Sequence, residues 1–110
     1  TVKVHGTSRI VDVEGEIDLF TVSQLRRAIG EAFRAHPEML VIDLASVTFM
    51  DSSGLHALLD AHRRSHADGL RLVIVPAPDI VEHPFRLAGL DGCLPFVPRA
   101  TPNGRSADRR

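Results

Sequence analysis

Apolar positions along the chain change period in a regular order. Val2 and Val4 alternate with Lys3 and His5 up to Gly6, and Ile10-Val11-Asp12-Val13 follows, closed by Gly15. Two short alternating runs this close predict an antiparallel hairpin. Next, Val22, Leu25, Ala28, Ile29, Ala32 and Phe33 recur at helical spacing. Thr21 and Gln24 stand at the spacing of a capping box before that stripe. The helix must stop by His36, because Pro37 disfavours helical backbone in the residue before it.

Leu40-Val41-Ile42-Asp43-Leu44 is nearly all apolar, which predicts a strand covered on both faces. Leu55, Leu58, Leu59 and His62 then mark a helix running to about His66, with Asp68-Gly69 as its stop. Leu70 to Val75 is another strand, ended by Pro76. Two buried strands joined by a helix form a βαβ unit, with parallel pairing and a right-handed crossover. A third helix is expected from Asp79 to about Ala88, and a short last strand from Leu94 to Val97. Pro84 complicates that helix: proline is tolerated only in a first turn, so the helix begins near His83 or is kinked there. The order β-β-α-β-α-β-α-β predicts a mixed sheet in one α/β domain.

At 110 residues a single domain is expected, covering 1–97, with 98–110 as a disordered basic tail rich in Pro, Gly, Ser and Arg. Of 13 basic and 14 acidic residues, Arg99, Arg105, Arg109, Arg110 and Asp108 lie in that tail, which leaves the body acidic. An acidic body is a poor nucleic-acid surface, since phosphate binding needs clustered Lys and Arg. Cys93 is the single cysteine, so an internal disulfide framework is excluded and a reducing compartment fits. No apolar run approaches the roughly 20 residues that span a bilayer, and no charged-then-apolar leader opens the sequence. A cytoplasmic protein without membrane attachment is expected.

Between the central strand and its helix stands Asp51-Ser52-Ser53-Gly54-Leu55. At a helix start, backbone N–H groups point outward and suit a phosphate or oxyanion. Four chemistries compete for the segment. Ser52 or Asp51 as a plain helix cap needs no further function. A nucleophilic serine would want Gly-x-Ser-x-Gly, and the first glycine is absent. The nearby His62 and His66 have i, i+4 spacing for zinc, yet the metalloprotease glutamate between them is missing, and no metal or cofactor is expected. A phosphorylation switch is physically apt, because a phosphoryl group brings about −1.5 to −2 charge to a helix end whose dipole tolerates it.

Gly15-Glu16-Ile17-Asp18, Val41-Ile42-Asp43-Leu44, Phe49-Met50-Asp51-Ser52-Ser53-Gly54-Leu55, Leu72-Val73-Ile74 and Leu87-Ala88-Gly89-Leu90 together closely resemble the STAS domain of bacterial anti-sigma factor antagonists. The resemblance covers nearly all the chain before the tail and implies a partner-switching regulator of transcription, not an enzyme. Such an antagonist binds an anti-sigma factor serine kinase and frees a sigma factor. The kinase then phosphorylates it, and a phosphatase restores it. By motif position the acceptor is Ser53, with Ser52 as the alternative. Asp51 positions that hydroxyl or the partner, Gly54 keeps the backbone open, and Asp18 and Glu16 line the same surface. The runner-up is a structural STAS subunit of a transport or stress-sensing assembly, in which the serine only caps.

Overall fold

The computed structural model describes residues 2–87, 89 and 94–97. The tail 98–110, Cys93, and Ala88 and Leu90 of the Leu87-Ala88-Gly89-Leu90 motif lie outside the described residues. The elements run β1 (Val2–His5), β2 (Ser8–Ile17), α1 (Val22–Arg34), β3 (Met39–Met50), α2 (Ser52–Asp68), β4 (Arg71–Val75) and α3 (Asp79–Leu87).

One mixed sheet has strand order β1-β2-β3-β4, with β1 antiparallel to β2 and the other neighbours parallel. Gly6, at φ 60°, turns the β1–β2 hairpin. The β2-α1-β3 and β3-α2-β4 crossovers step in the same direction along the sheet, which puts α1 and α2 on one face. There the helices meet each other: Arg26 and Asp60 pair at 2.8 Å, and Arg64 lies 4.4 Å over the ring of buried Phe33. Between the helices and the sheet, Val11, Val13, Ile17, Leu40, Ile42, Leu44 and Ile74 of the strands pack with Leu58 of α2 in the core.

The central strands are longer than their apolar runs predict. β2 does not close at Gly15 but continues to Ile17, and β3 continues past Leu44 to Met50. The pairing absorbs two register shifts, from Asp12↔Asp43 to Glu14↔Ser46 and from Gly15↔Val47 to Glu16↔Phe49. Each shift adds one residue to β3, so Leu44, Val47 and Met50 are all buried at a spacing of three. Strict alternation fails there, and with it the period-two signal. Gly15 adopts φ 84° inside the ladder and bends the strand without ending it.

Several finer expectations are corrected. Val41 and Asp43 are only half-buried, so the central strand is fully covered on one face and partly on the other. α3 begins at Asp79 as expected, so the alternative start near His83 falls, and the helix carries Pro84 inside. Proline lacks the N–H that would serve the carbonyl of Ile80, and Ile80 is exposed. The expected last strand reduces to one parallel bridge, Ile74↔Phe96, with Ile74 N donating to Pro95 O and Val97 N to Ile74 O. Pro95 has no N–H with which to lengthen it.

Candidate functional site at the carboxyl rim of the sheet

β2 and β3 run parallel, so their carboxyl ends lie side by side, where ligands of open α/β sheets commonly bind. Ile17 is paired with Met50, and the N–H of Asp51 donates to the Ile17 carbonyl at 3.1 Å. That bond ties the start of α2 to the loop after β2.

Asp51 is the N-cap of α2, in extended backbone at φ −103° and ψ −171°. Its Oδ1 accepts the Ser53 backbone N–H at 2.9 Å and also a short hydrogen bond from the Ser53 hydroxyl. Its carbonyl accepts from Gly54 N at 3.1 Å. The Ser53 hydroxyl, followed by the backbone N–H groups of Ser53 and Gly54, holds the Asp51 carboxyl below the usual carboxylate range. Ser52 is exposed and Ser53 half-buried. The hydroxyl of Ser53 is thus given to a carboxylate and not to a histidine base.

Gly54 is buried, and the close approach it allows is internal. A Cβ there would lie 2.6 Å from Met50 Cγ and 2.9 Å from Ile17 Cγ2. The residue lets the first turn of α2 sit directly on the ends of both strands.

The second loop, 18–21, has its own scaffold. Asp18 Oδ1 accepts from Phe20 N at 2.9 Å and Thr21 N at 3.0 Å. The Thr21 hydroxyl donates to Glu16 O at 2.8 Å and accepts from Asp18 N at 2.9 Å. The predicted capping box is therefore not formed: Thr21 is the N-cap of α1 by position but makes no side-chain bond into the helix. Its hydroxyl is already committed to the strand end and the turn, which composition alone does not reveal. Glu16 is exposed and Asp18 half-buried, and both stand beside the Asp51 loop through the Ile17 link. An open cleft of about 450 Å³ between β2 and α1 adds Asp12, Glu14 and Gln24 to this side of the molecule.

Two residues of the rim carry no polar motif and were not singled out by spacing. Leu19 and Phe20 are 77% and 88% exposed. Their one signal is that two large apolar residues sit together in a turn, off the stripe of α1.

His62 and His66 lie elsewhere on α2, with ring centroids 4.8 Å apart in a T-shaped contact. Among the described residues no group of three or more His, Cys, Asp or Glu could hold a metal ion. No helix among them is long and apolar enough to cross a membrane.

Comparison with known proteins places this geometry. The STAS domain family model matches residues 1–100. The chain is 36% identical to the anti-sigma-F factor antagonist RsfB of Mycobacterium tuberculosis over 91 residues, 83% of this chain and 74% of that protein. A crystal structure of an anti-sigma factor antagonist from Mycobacterium paratuberculosis superposes with a TM-score of 0.76 at 32% identity, covering 94% of this chain and 86% of the other. The phosphorylated form of the Bacillus cell-fate determinant SpoIIAA superposes with a TM-score of 0.66 at 25% identity, covering 94% and 92%. The chain belongs to the STAS domain family, in the group of bacterial anti-sigma factor antagonists.

Proposed function

We propose that this chain binds an anti-sigma factor serine kinase in its unmodified form and is released when that kinase phosphorylates Ser53. Ser52 is the alternative acceptor, and a phosphatase resets the cycle. The observation that carries the proposal is the hydrogen bond from the Ser53 hydroxyl to the Asp51 carboxylate at the start of α2.

The cap of α2 needs only the Asp51 carboxylate and the Ser53 backbone N–H. A module that merely caps its helix has no use for the two hydroxyls of Ser52 and Ser53. Asp51 instead orients the Ser53 oxygen, with its hydrogen directed away from an incoming group. In the transfer, the Ser53 oxygen bonds to the γ-phosphorus of ATP, the bond to the β-phosphate oxygen breaks and ADP leaves, while the hydroxyl proton passes to the Asp51 carboxylate that accepts it and from there to solvent. The added dianion sits at a helix N-terminus, where the dipole favours it by roughly 0.3–1 kcal/mol, so the fold persists. Docking does not persist, because for transfer this spot must face the nucleotide phosphates of the kinase. Phosphate there meets phosphate. The solved phosphorylated form of the relative SpoIIAA supports this reading.

The test is incubation of the chain with the anti-sigma kinases of its own genome and ATP, followed by mass spectrometry. One phosphate is expected on Ser53, absent from Ser53→Ala. No phosphate on Ser53 or Ser52 with any of these kinases would return the segment to a structural cap.

A further inference from the structure

Beside the switch, the loop between β2 and α1 presents two large apolar side chains to solvent, Leu19 at 77% and Phe20 at 88% exposure. A singly exposed apolar residue is ordinary, but an adjacent pair on a fixed loop is a feature of interaction sites. This loop is fixed. Asp18 takes the N–H groups of Phe20 and Thr21, its carbonyl takes Val22 N at 2.8 Å, and the Thr21 hydroxyl ties Glu16 O to Asp18 N. Little order remains to be gained on binding, so little entropy is lost. Phe49, in register with Glu16 on β3, is a further exposed apolar side chain at 48%.

The charge beside the pair selects its occupant. Asp18 holds the Phe20 N–H, Glu14 and Glu16 line the cleft next to Thr21, Asp51 is tied to Ile17, and the sequence holds no Lys or Arg from residue 10 to 25 or from 35 to 62. A second copy would set the same acidic rim against itself, and an anionic membrane would be repelled in the same way. The surface fits a partner of opposite sign with an apolar recess. We propose that Leu19 and Phe20 are the apolar anchor of the antagonist, seated in an apolar pocket of the anti-sigma kinase ringed by Lys and Arg. This rests on the functional reading above and divides its labour: Ser53 decides whether docking is permitted, and Leu19 and Phe20 supply the affinity.

Leu19→Ser, Phe20→Ser and the double variant test the anchor. Both side chains are exposed, so thermal melts should match the wild type. The wild type and each variant are titrated by calorimetry against whichever anti-sigma kinase of the same genome binds the wild type, with ADP present. Phosphorylation kinetics are measured in parallel. Each single change should weaken binding about tenfold, the double more, by the usual worth of burying such a side chain. The loss should fall on KM while kcat at saturation is unchanged. Glu14→Gln with Glu16→Gln should instead flatten the dependence of affinity on ionic strength. Wild-type affinity in the Leu19→Ser, Phe20→Ser double variant, with Ser53 still phosphorylated, overturns the anchor and leaves the switch standing. Failure of the wild type to bind any such kinase removes the functional reading and the anchor together.

Discussion

The backbone N–H of Asp51 donates to the carbonyl of Ile17 at 3.1 Å, across the ends of two strands 34 positions apart in sequence order. This bond joins the start of α2, which carries the proposed acceptor Ser53, to the strand end that leads into the Asp18–Thr21 loop.

Gly54→Ala should destabilise the fold. Its Cβ would fall 2.6 Å from Met50 Cγ and 2.9 Å from Ile17 Cγ2, and Ile17 is β-branched with little freedom to turn. Overpacking of this kind costs about 1–3 kcal/mol, set against a gain of up to about 1 kcal/mol from replacing glycine in a helix. A net loss should appear in urea unfolding, and Met50→Ala in the same chain should recover part of it. Simple additivity of the two changes would contradict the contact.

Asp51 should leave a signature in acid. Its carboxyl is held low in the folded chain, chiefly by the Ser53 hydroxyl. A depressed carboxylate contributes stability that is complete above the unfolded value, near pH 4, and is lost as pH falls through the lower native value. Thermal midpoints followed downward from pH 5 should therefore drop less in Asp51→Asn than in the wild type. Asparagine still caps a helix, so the variant should fold at neutral pH. Its phosphorylation should slow, because a neutral amide oxygen holds the Ser53 hydroxyl more weakly than the carboxylate does. Equal acid profiles in the two proteins would show that the carboxylate is not engaged as described.

Thr21→Val should loosen the second loop without removing α1. The hydroxyl bridges Glu16 O and Asp18 N but makes no bond into the helix. Losing it leaves a part-buried backbone pair to solvent, at a cost of about 1 kcal/mol. Amide exchange of Asp18 and its neighbours should accelerate while the centre of α1 stays protected. Loss of protection throughout α1 would mean that the residue caps the helix after all.

Much of this fold is legible in the chain because single periodicities carry it. The stripe Leu25, Ile29, Ala32 and Phe33 marks α1, and Leu40, Ile42 and Leu44 mark the heart of β3. The far half of β3 is hidden because two extra residues reset its alternation, which only the pairing with β2 makes visible. The start of α3 at Asp79 is legible, but Pro84 leaves a later start near His83 equally open from the sequence, and only the structure shows that the helix carries it inside. At the site, Asp51, Ser52 and Ser53 stand out by type and spacing, since caps and acceptors are short-range chemistry. Thr21 stands out for a capping box that does not form, because its real partners Glu16 and Asp18 are reached by a turn and not by a helical repeat. Leu19 and Phe20 escape for a related reason: exposure is a property of the folded loop, and their composition alone suggests core.

The proposed switch is one phosphate on Ser53 that separates a binding form from a released form. Its most direct measurement is the dissociation constant of the cognate anti-sigma kinase, with ADP bound, for the unmodified chain and for the chain phosphorylated at Ser53. Phosphorylation should weaken binding by about a hundredfold or more, as expected for like charges brought together at an interface. Far-ultraviolet circular dichroism should be unchanged, and Ser53→Asp should move affinity in the same direction. Equal affinity of the two forms for that kinase would contradict the switch.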